Sequence, residues 1–259
     1  MRIVCYFINW NDSFYIPFLA KHYGRFCERI VMYDQYSTDD SVRIAQELGI
    51  EIRYFGSRNE LNDQWYLDVK NNCWKECRGK GIDYVIVVDA DEFVNVGTGD
   101  EGRGICDEGR GTMDMLGAVP KVVGYDMISD GLPVSDMLEL NVGMDSESYS
   151  KQAIFNPDLV EEINYVHGCH KNNLQITDCR FQISDCRFQI SDLLGGVECT
   201  LLHYRCIGGV ERLIDRHKVY MKRMSAFNKT HNMGWHYKHS DDAKREEWNF
   251  KMNNAKKLW

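Results

Sequence analysis

The sequence predicts an α/β fold, a single domain with a mixed and mostly parallel central sheet flanked by helices, and three observations lead there. β-Branched and aromatic runs alternate with helical patterns through the first 55 residues, joined by short loops, the pattern of strand–helix–strand units linked by right-handed crossovers. Residues 84 to 88, YVIVV, are apolar without alternation, which suits a strand covered on both faces. Directly after them stand Asp89, Asp91 and Glu92, three carboxylates in four positions, at the carboxyl end of the strand, where open α/β sheets bind ligands.

Taken in order, Arg2 to Ile8 predicts a first, central strand. Asp12 or Ser13 is placed to cap a helix carrying Phe14, Ile16, Phe18, Leu19, Tyr23 and Phe26, with Pro17 in its first turn. A second strand, Arg29 to Tyr33, runs into the turn and capping cluster DQYSTDDS, which opens a helix through Leu48 that Gly49 closes. Glu51 to Phe55 is a third strand, and Glu60 to Arg78 a longer helix with Trp65, Val69, Cys73, Trp74 and Cys77 on one core-facing stripe. Past Phe93, Lys121 to Met127 and Thr200 to Tyr204 predict further strands. A helix from Val210 to Phe227, rich in Arg and Lys, precedes a closing basic helix. Such a stretch is ordinarily a solvated face, and beside a metal site it could also contact phosphates.

Carboxylates as close as Asp89, Asp91 and Glu92 repel one another unless a cation intervenes, and Mg²⁺ or Mn²⁺ takes one or two carboxylates together with water and substrate phosphates. The plainer alternative is an acidic turn that solvates a strand end. No G-x-G-x-x-G follows the first strand and no Walker lysine loop occurs, which speaks against dinucleotide and P-loop chemistry.

A net charge of -8 spread along 259 residues disfavours a nucleic-acid surface. The apolar run Ile3 to Ile8 is too short for a signal sequence, and no run approaches the roughly 18 residues of a membrane span. Ten scattered cysteines read as buried thiols of a reducing compartment, so the expected localisation is cytoplasmic, peripheral to a membrane at most. Two tandem heptads, DEGRGIC-DEGRGTM at residues 100–113 and DCRFQIS twice at 178–191, read as tolerated insertions, with a lid and an interaction arm as the alternatives. His167-Gly168-Cys169-His170 could ligate zinc, but no second pair at finger-like spacing accompanies it.

The first strand with NWND, the turn MYDQYSTDDS, and VVDADEF resemble glycosyltransferase family 2 and its relatives of GT-A (Rossmann-like) fold. HYR at His203 to Arg205 and KRMSAFNKTHNMGWHY resemble the carboxyl-terminal part of small bacterial members. The likeness runs to residue 93 and resumes near 197. It implies that Asp34 contacts the nucleoside with Asn9 nearby, and that Asp89 and Asp91 hold the nucleotide diphosphate, Asp91 through Mn²⁺ or Mg²⁺. By the same likeness His203 is a further ligand of that metal. The donor it implies is a nucleotide-diphosphate sugar and the acceptor a saccharide or other hydroxyl-bearing molecule. Inverting transfer also needs a carboxylate base, for which Asp126 and Asp130 are candidates, either of which could instead be a turn or capping acid. Gln35-Tyr36 departs from the family's Asp-Gly. Residues 1–96 are expected to form a nucleotide-binding half, 97–209 an acceptor half, and 210–259 a helical closing segment. Rival readings are a nucleotidyl- or phosphoryl-transferase using the same acids, and an inactive donor-binding module.

Overall fold

The computed structural model describes residues 1–96, 119–167, 169, 171–176 and 199–259. Both heptad repeats, His170 and the acidic and basic glycine-rich stretch from residue 97 lie outside the described residues. The described strands are β1 (Ile3–Asn9), β2 (Arg29–Asp34), β3 (Glu51–Tyr54), β4 (Tyr84–Asp89), β5 (Glu92–Val96), β6 (Val122–Ser129) and β7 (Val142–Asp145). Beyond them come β8 (Ile154–Phe155), β9 (Val160–Glu162), β10 (Gln175–Ile176), β11 (Cys199–Ile207) and β12 (Lys256–Lys257). They form a mixed α/β architecture of two five-stranded sheets and a two-stranded ribbon, flanked by helices.

The first sheet has the order β3-β2-β1-β4-β8, parallel through its first four strands and closed by antiparallel β8. Its centre is β1, buried at every residue. Ile3, Cys5 and Phe7 face one core, shared with Tyr15, Leu19, Phe93 and Leu201, while Val4 and Tyr6 face the other, around Trp74, Val85 and Phe155. Side chains alternate along a strand, so a run apolar at both parities must be covered on both sides. The parallel order also lines up Asn9, Asp34 and Asp89 along one edge, since Asn9 pairs in register with Asp34, and Ile8 with Asp89.

The second sheet, β12-β7-β6-β11-β5, is where the structure departs from the sequence reading. β4 does not run out into a loop at its acids. It turns within Ala90 and Asp91 and re-enters at once as β5, antiparallel to β11. Because Ala90 N–H donates to Ile8 O and Tyr204 N–H to Asp91 O, at 3.1 and 2.8 Å, this turn is bonded to both sheets. Gly124 in β6 has its own local reason: a Cβ there would stand 2.1 Å from the Tyr149 carbonyl carbon, so only glycine lets the 3-10 turn Glu147–Tyr149 lie against the strand.

Helices differ at their ends. α1 (Ile16–Tyr23) begins after Tyr15 without a side-chain cap, Pro17 sits in its first turn as expected, and Asp12 and Ser13 do not cap it. Asp12 is instead ion-paired to arginines, and the Ser13 N–H donates to Asp39 at 3.0 Å. α2 (Ser41–Glu47) is followed by Gly49 at φ +71, a left-handed residue that favours glycine. The expected helix 60–78 is α3 (Asp63–Asn72), whose Asn62 cap accepts the Gln64 N–H, followed by a 3-10 turn over Cys73–Cys77. The basic helix α4 spans Val210–Arg223 and stops because Met224 turns extended. There Leu61 N–H donates to Arg223 O and Ser225 N–H to Leu61 O, which ties its end to the start of α3. α5 (Ala226–Thr230) follows a Ser225 cap, and α6 (Asp241–Asn254) packs Trp248 beside Ile128 and Cys206. The closing segment therefore wraps the second sheet, as its sequence suggests. No helix of the described residues is long and apolar enough to cross a membrane.

Candidate functional site

Asn9 and Asp34 meet at the β1 and β2 tips, where Asn9 Nδ2 donates to Asp34 Oδ1 at 2.8 Å. Asp34 is fully buried and also accepts the Ser37 N–H at 2.8 Å and the Ser37 hydroxyl at 2.5 Å. Three of a carboxylate's roughly four acceptor positions are thereby used, two by its own turn and one by Asn9 on β1. Asn9 Oδ1 is buried without a partner. Where the family has Asp-Gly, Gln35 points inward to accept from Tyr66 and Arg223, at 2.9 and 3.0 Å. Tyr36, at φ +53, stacks on Tyr54 with ring centroids 5.1 Å apart.

At the β4 tip the three acids separate. Asp89 keeps 33% of its side chain exposed and accepts from the buried Lys70 of α3 at 2.7 Å. Burial would lower Lys70, but Asp89 together with Cys169 and Glu92 outweighs it and holds the ammonium charged. Glu92 is sealed: Lys151 donates to one oxygen at 2.6 Å, the Asp89 N–H donates to the other at 2.9 Å, and Lys151 and Glu92 are each 1% exposed. Against burial, Lys151 and Lys70 hold the Glu92 carboxyl down at about 2.

Asp91 is different. Alternation along β11 turns His203 and Arg205 to one face, and Tyr204, with its backbone carbonyl accepting from Tyr15, to the other. Arg205 Nε lies 2.5 Å and His203 Nε2 3.4 Å from Asp91 Oδ2, yet neither Asp91 oxygen finds a well-formed hydrogen bond. Burial raises the Asp91 carboxyl, but Arg205 and His203 outweigh it and hold it well below the usual carboxylate range. The other imidazole nitrogen, Nδ1, faces Asp126 Oδ1 at 2.9 Å, and Tyr149 stacks on the ring at 3.8 Å. Burial alone would lower His203; between Asp91 and Asp126 it is raised to about 9.

These residues fit a divalent cation in the chemistry of their donors. A histidine whose Nδ1–H is held by a carboxylate presents Nε2 as a ligand, and ligand atoms of one octahedral cation at about 2.1 Å stand about 3 Å apart. The unsatisfied oxygens of Asp91 and Nε2 of His203 meet that description, with Arg205 sharing the carboxylate. Among the described residues no set of three or more His, Cys, Asp or Glu gathers as a metal cluster.

Asp126, a candidate base in the sequence, is paired on both sides. It is 6% exposed, accepts from His203 and from Lys251, the latter at 2.7 Å, and these two outweigh its burial and lower its carboxyl. A carboxylate engaged on both sides orients the histidine. Asp130 is exposed on the turn after β6, about 13 Å further along the strand at roughly 3.3 Å per residue. Cys169, from the zinc-like quartet, is buried among apolar side chains, and burial raises its thiol.

Beside these residues stand Arg205 at the end of β11, which the sequence reading placed in its HYR motif, and Arg216 and Arg223 of α4, which it read as a solvated face that could also contact phosphates. Arg216 pairs with buried Asp12, and Arg205 reaches the same carboxylate at 3.6 Å. Arg216, Tyr220 and Arg223 follow the i, i+4, i+7 spacing of one helix stripe, the signal by which they could have been found.

No family model and no curated protein matches the chain. Among solved structures, glucosyl-3-phosphoglycerate synthase from Mycobacterium tuberculosis, in complex with Mn²⁺, UDP and glucosyl-3-phosphoglycerate, aligns with TM-score 0.25 and 16% identity over 36% of this chain and 34% of that one. This chain therefore spans about a third of that synthase. S. aureus TarS 1-349 aligns at TM-score 0.34 and 14% identity, over 96% of this chain and 69% of that one. The same protein in complex with UDP aligns at TM-score 0.36 and 14% identity, over 96% and 70%. Superpositions this loose transfer neither activity nor residue roles to this chain.

Proposed function

We propose that the protein is a glycosyltransferase of GT-A type that moves a sugar from a nucleoside-diphosphate donor to a hydroxyl-bearing acceptor. The observation that carries this reading is the pairing of Asp91 and His203, 3.4 Å apart, with Asp126 behind the imidazole. The motif resemblance and the alignment of Asn9, Asp34 and Asp89 along one sheet edge support it. Residues 1–96 hold the donor, 97–209 meet the acceptor, and 210–259 close over the donor side.

In this reading the nucleoside end lies toward Asn9 and Asp34, and the diphosphate toward Asp89 and Asp91. Asp91 and His203 would hold a Mn²⁺ or Mg²⁺, which when bound would offer counter-charge to the departing diphosphate, where such a transfer needs it most. Asp126 holds Nδ1–H and so aims Nε2, whose proton would be displaced on cation binding, toward Asp91; Tyr149 fixes the ring plane. Lys70 holds the Asp89 side chain in place at the β4 tip through their ion pair. The acceptor proton goes to an accessible carboxylate on the opposite face of the sugar, and with Asp126 engaged, Asp130 is the remaining candidate.

Melting temperatures measured with a panel of nucleotide sugars, with and without Mn²⁺, test the donor, because a ligand of the folded state raises the melting temperature. A nucleoside diphosphate released on incubation is the expected product. Pyrophosphate instead would assign nucleotidyl transfer, and binding with no turnover or hydrolysis a donor-binding module.

A further inference from the structure

Arg223 ends α4 and reaches back over the tip of β1. Its guanidinium carbon stands 3.2 Å from the Trp10 ring centroid, and Nη2 donates to Gln35 Oε1 at 3.0 Å. Nε and Nη1 are buried and have no hydrogen-bond partner, which leaves three of the five N–H groups unused. Among the described residues no carboxylate pairs with Arg223. Buried cations nearby are matched, Lys70 with Asp89, Lys151 with Glu92, Arg205 with Asp91 and Arg216 with Asp12. Burial lowers Arg223 below the ordinary arginine value, as expected of a cation that gave up water for no counter-charge.

Its position says which counter-charge is missing. Trp10 follows Asn9, Gln35 follows Asp34, and Tyr66, which shares Gln35 with Arg223, precedes by one helical turn the Lys70 that holds Asp89. Arg223 thus stands among the tips of β1, β2 and β4, between the residues assigned to the nucleoside and those assigned to the metal. A diphosphate joining those two ends passes this point. Resting on the donor reading above, we propose that Arg223 is the receptor for a phosphate of the donor diphosphate, its unused N–H groups donating to phosphate oxygens while Trp10 backs its face.

Calorimetric titration of inorganic pyrophosphate into wild type, Arg223→Gln and Lys222→Gln tests this without knowing the donor's base. Arg223→Gln is expected to weaken pyrophosphate about ten- to a hundredfold, the loss that follows removal of hydrogen bonds to a charged group. Lys222→Gln, on an exposed neighbour, should leave affinity unchanged. Without ligand, Arg223→Gln should melt no lower than wild type, because it removes an unpaired buried charge; Arg223→Met, which keeps the packing on Trp10, serves should the glutamine variant fail to fold. Undiminished pyrophosphate affinity in a folded Arg223 variant, or an equal loss in Lys222→Gln, overturns the assignment. Pyrophosphate held through Arg223 with no nucleotide sugar bound or cleaved would sink the transferase reading alone. Turnover of a nucleotide sugar with full affinity in Arg223→Gln would sink this inference alone.

Discussion

Glu92 and Asp91 are adjacent in the chain and each is 1% exposed, yet their carboxylates are held in opposite ways. Glu92 has an ammonium on one oxygen and a backbone N–H on the other, so its charge is closed off inside the protein. Asp91 has a guanidinium and an imidazole beside it and no good hydrogen bond to either oxygen. A low dielectric strengthens a satisfied pair and penalises an unsatisfied group. The first arrangement serves the fold; the second is poised for something further, and Arg223 is its cationic counterpart. Carboxylate count alone would have treated the neighbouring acids alike.

Lys151→Met should break the closed pair. It leaves Glu92 buried without a counter-charge and should cost about 3–5 kcal/mol in urea denaturation, whereas Lys151→Met combined with Glu92→Leu should recover most of that. A single variant within about 1 kcal/mol of wild type would mean that the pair is not sealed. Asp91→Asn should abolish Mn²⁺-dependent donor binding, read by calorimetry as a loss of about a hundredfold or more; unchanged affinity would remove Asp91 from the site. Asp126→Asn, acting through the histidine, should weaken Mn²⁺ about 10- to 100-fold with the fold retained, and an unaltered Mn²⁺ titration would make Asp126 purely structural.

A third mode of burial sharpens the contrast. His22 is 4% exposed, bonds through Nε2 to Val94 O at 2.8 Å, and is lowered to about 4 by burial. Its folded value lies below its unfolded one, so the stability it contributes is present above about pH 6.5 and is lost as pH falls toward 4. Between pH 7 and 5 the urea midpoint should fall by the equivalent of roughly 1–2 kcal/mol, and His22→Asn should flatten that slope. An equally steep profile in the variant would assign the effect to other groups.

The parallel half was legible because a strand covered on both faces writes itself as a local apolar run, and β1, β2 and β4 do so within a residue or two. β5 was not: FVNV follows the acids so closely that the two-residue turn carries no local signal. His203 and Asp91, which the structure sets 3.4 Å apart, were singled out by short motifs. Asp126, by contrast, resembles any acid near a strand end, and only the β6–β11 register sets it opposite His203. Arg223 was counted with a solvated face, since nothing near it in sequence reveals that Leu61 bonds its carbonyl or that Trp10 covers its guanidinium.

By itself the sequence determined the α/β class, the positions of the parallel strands along the chain and the acids that follow β4, because periodicity and strand burial are properties of neighbours in the chain. Tertiary structure alone decided which charges are closed and which stay open. Lys70 lies 19 residues from Asp89, and Lys151 lies 59 from Glu92. Whether a buried charge finds its partner depends on the fold that brings such distant residues within about 3 Å in a medium that water does not screen.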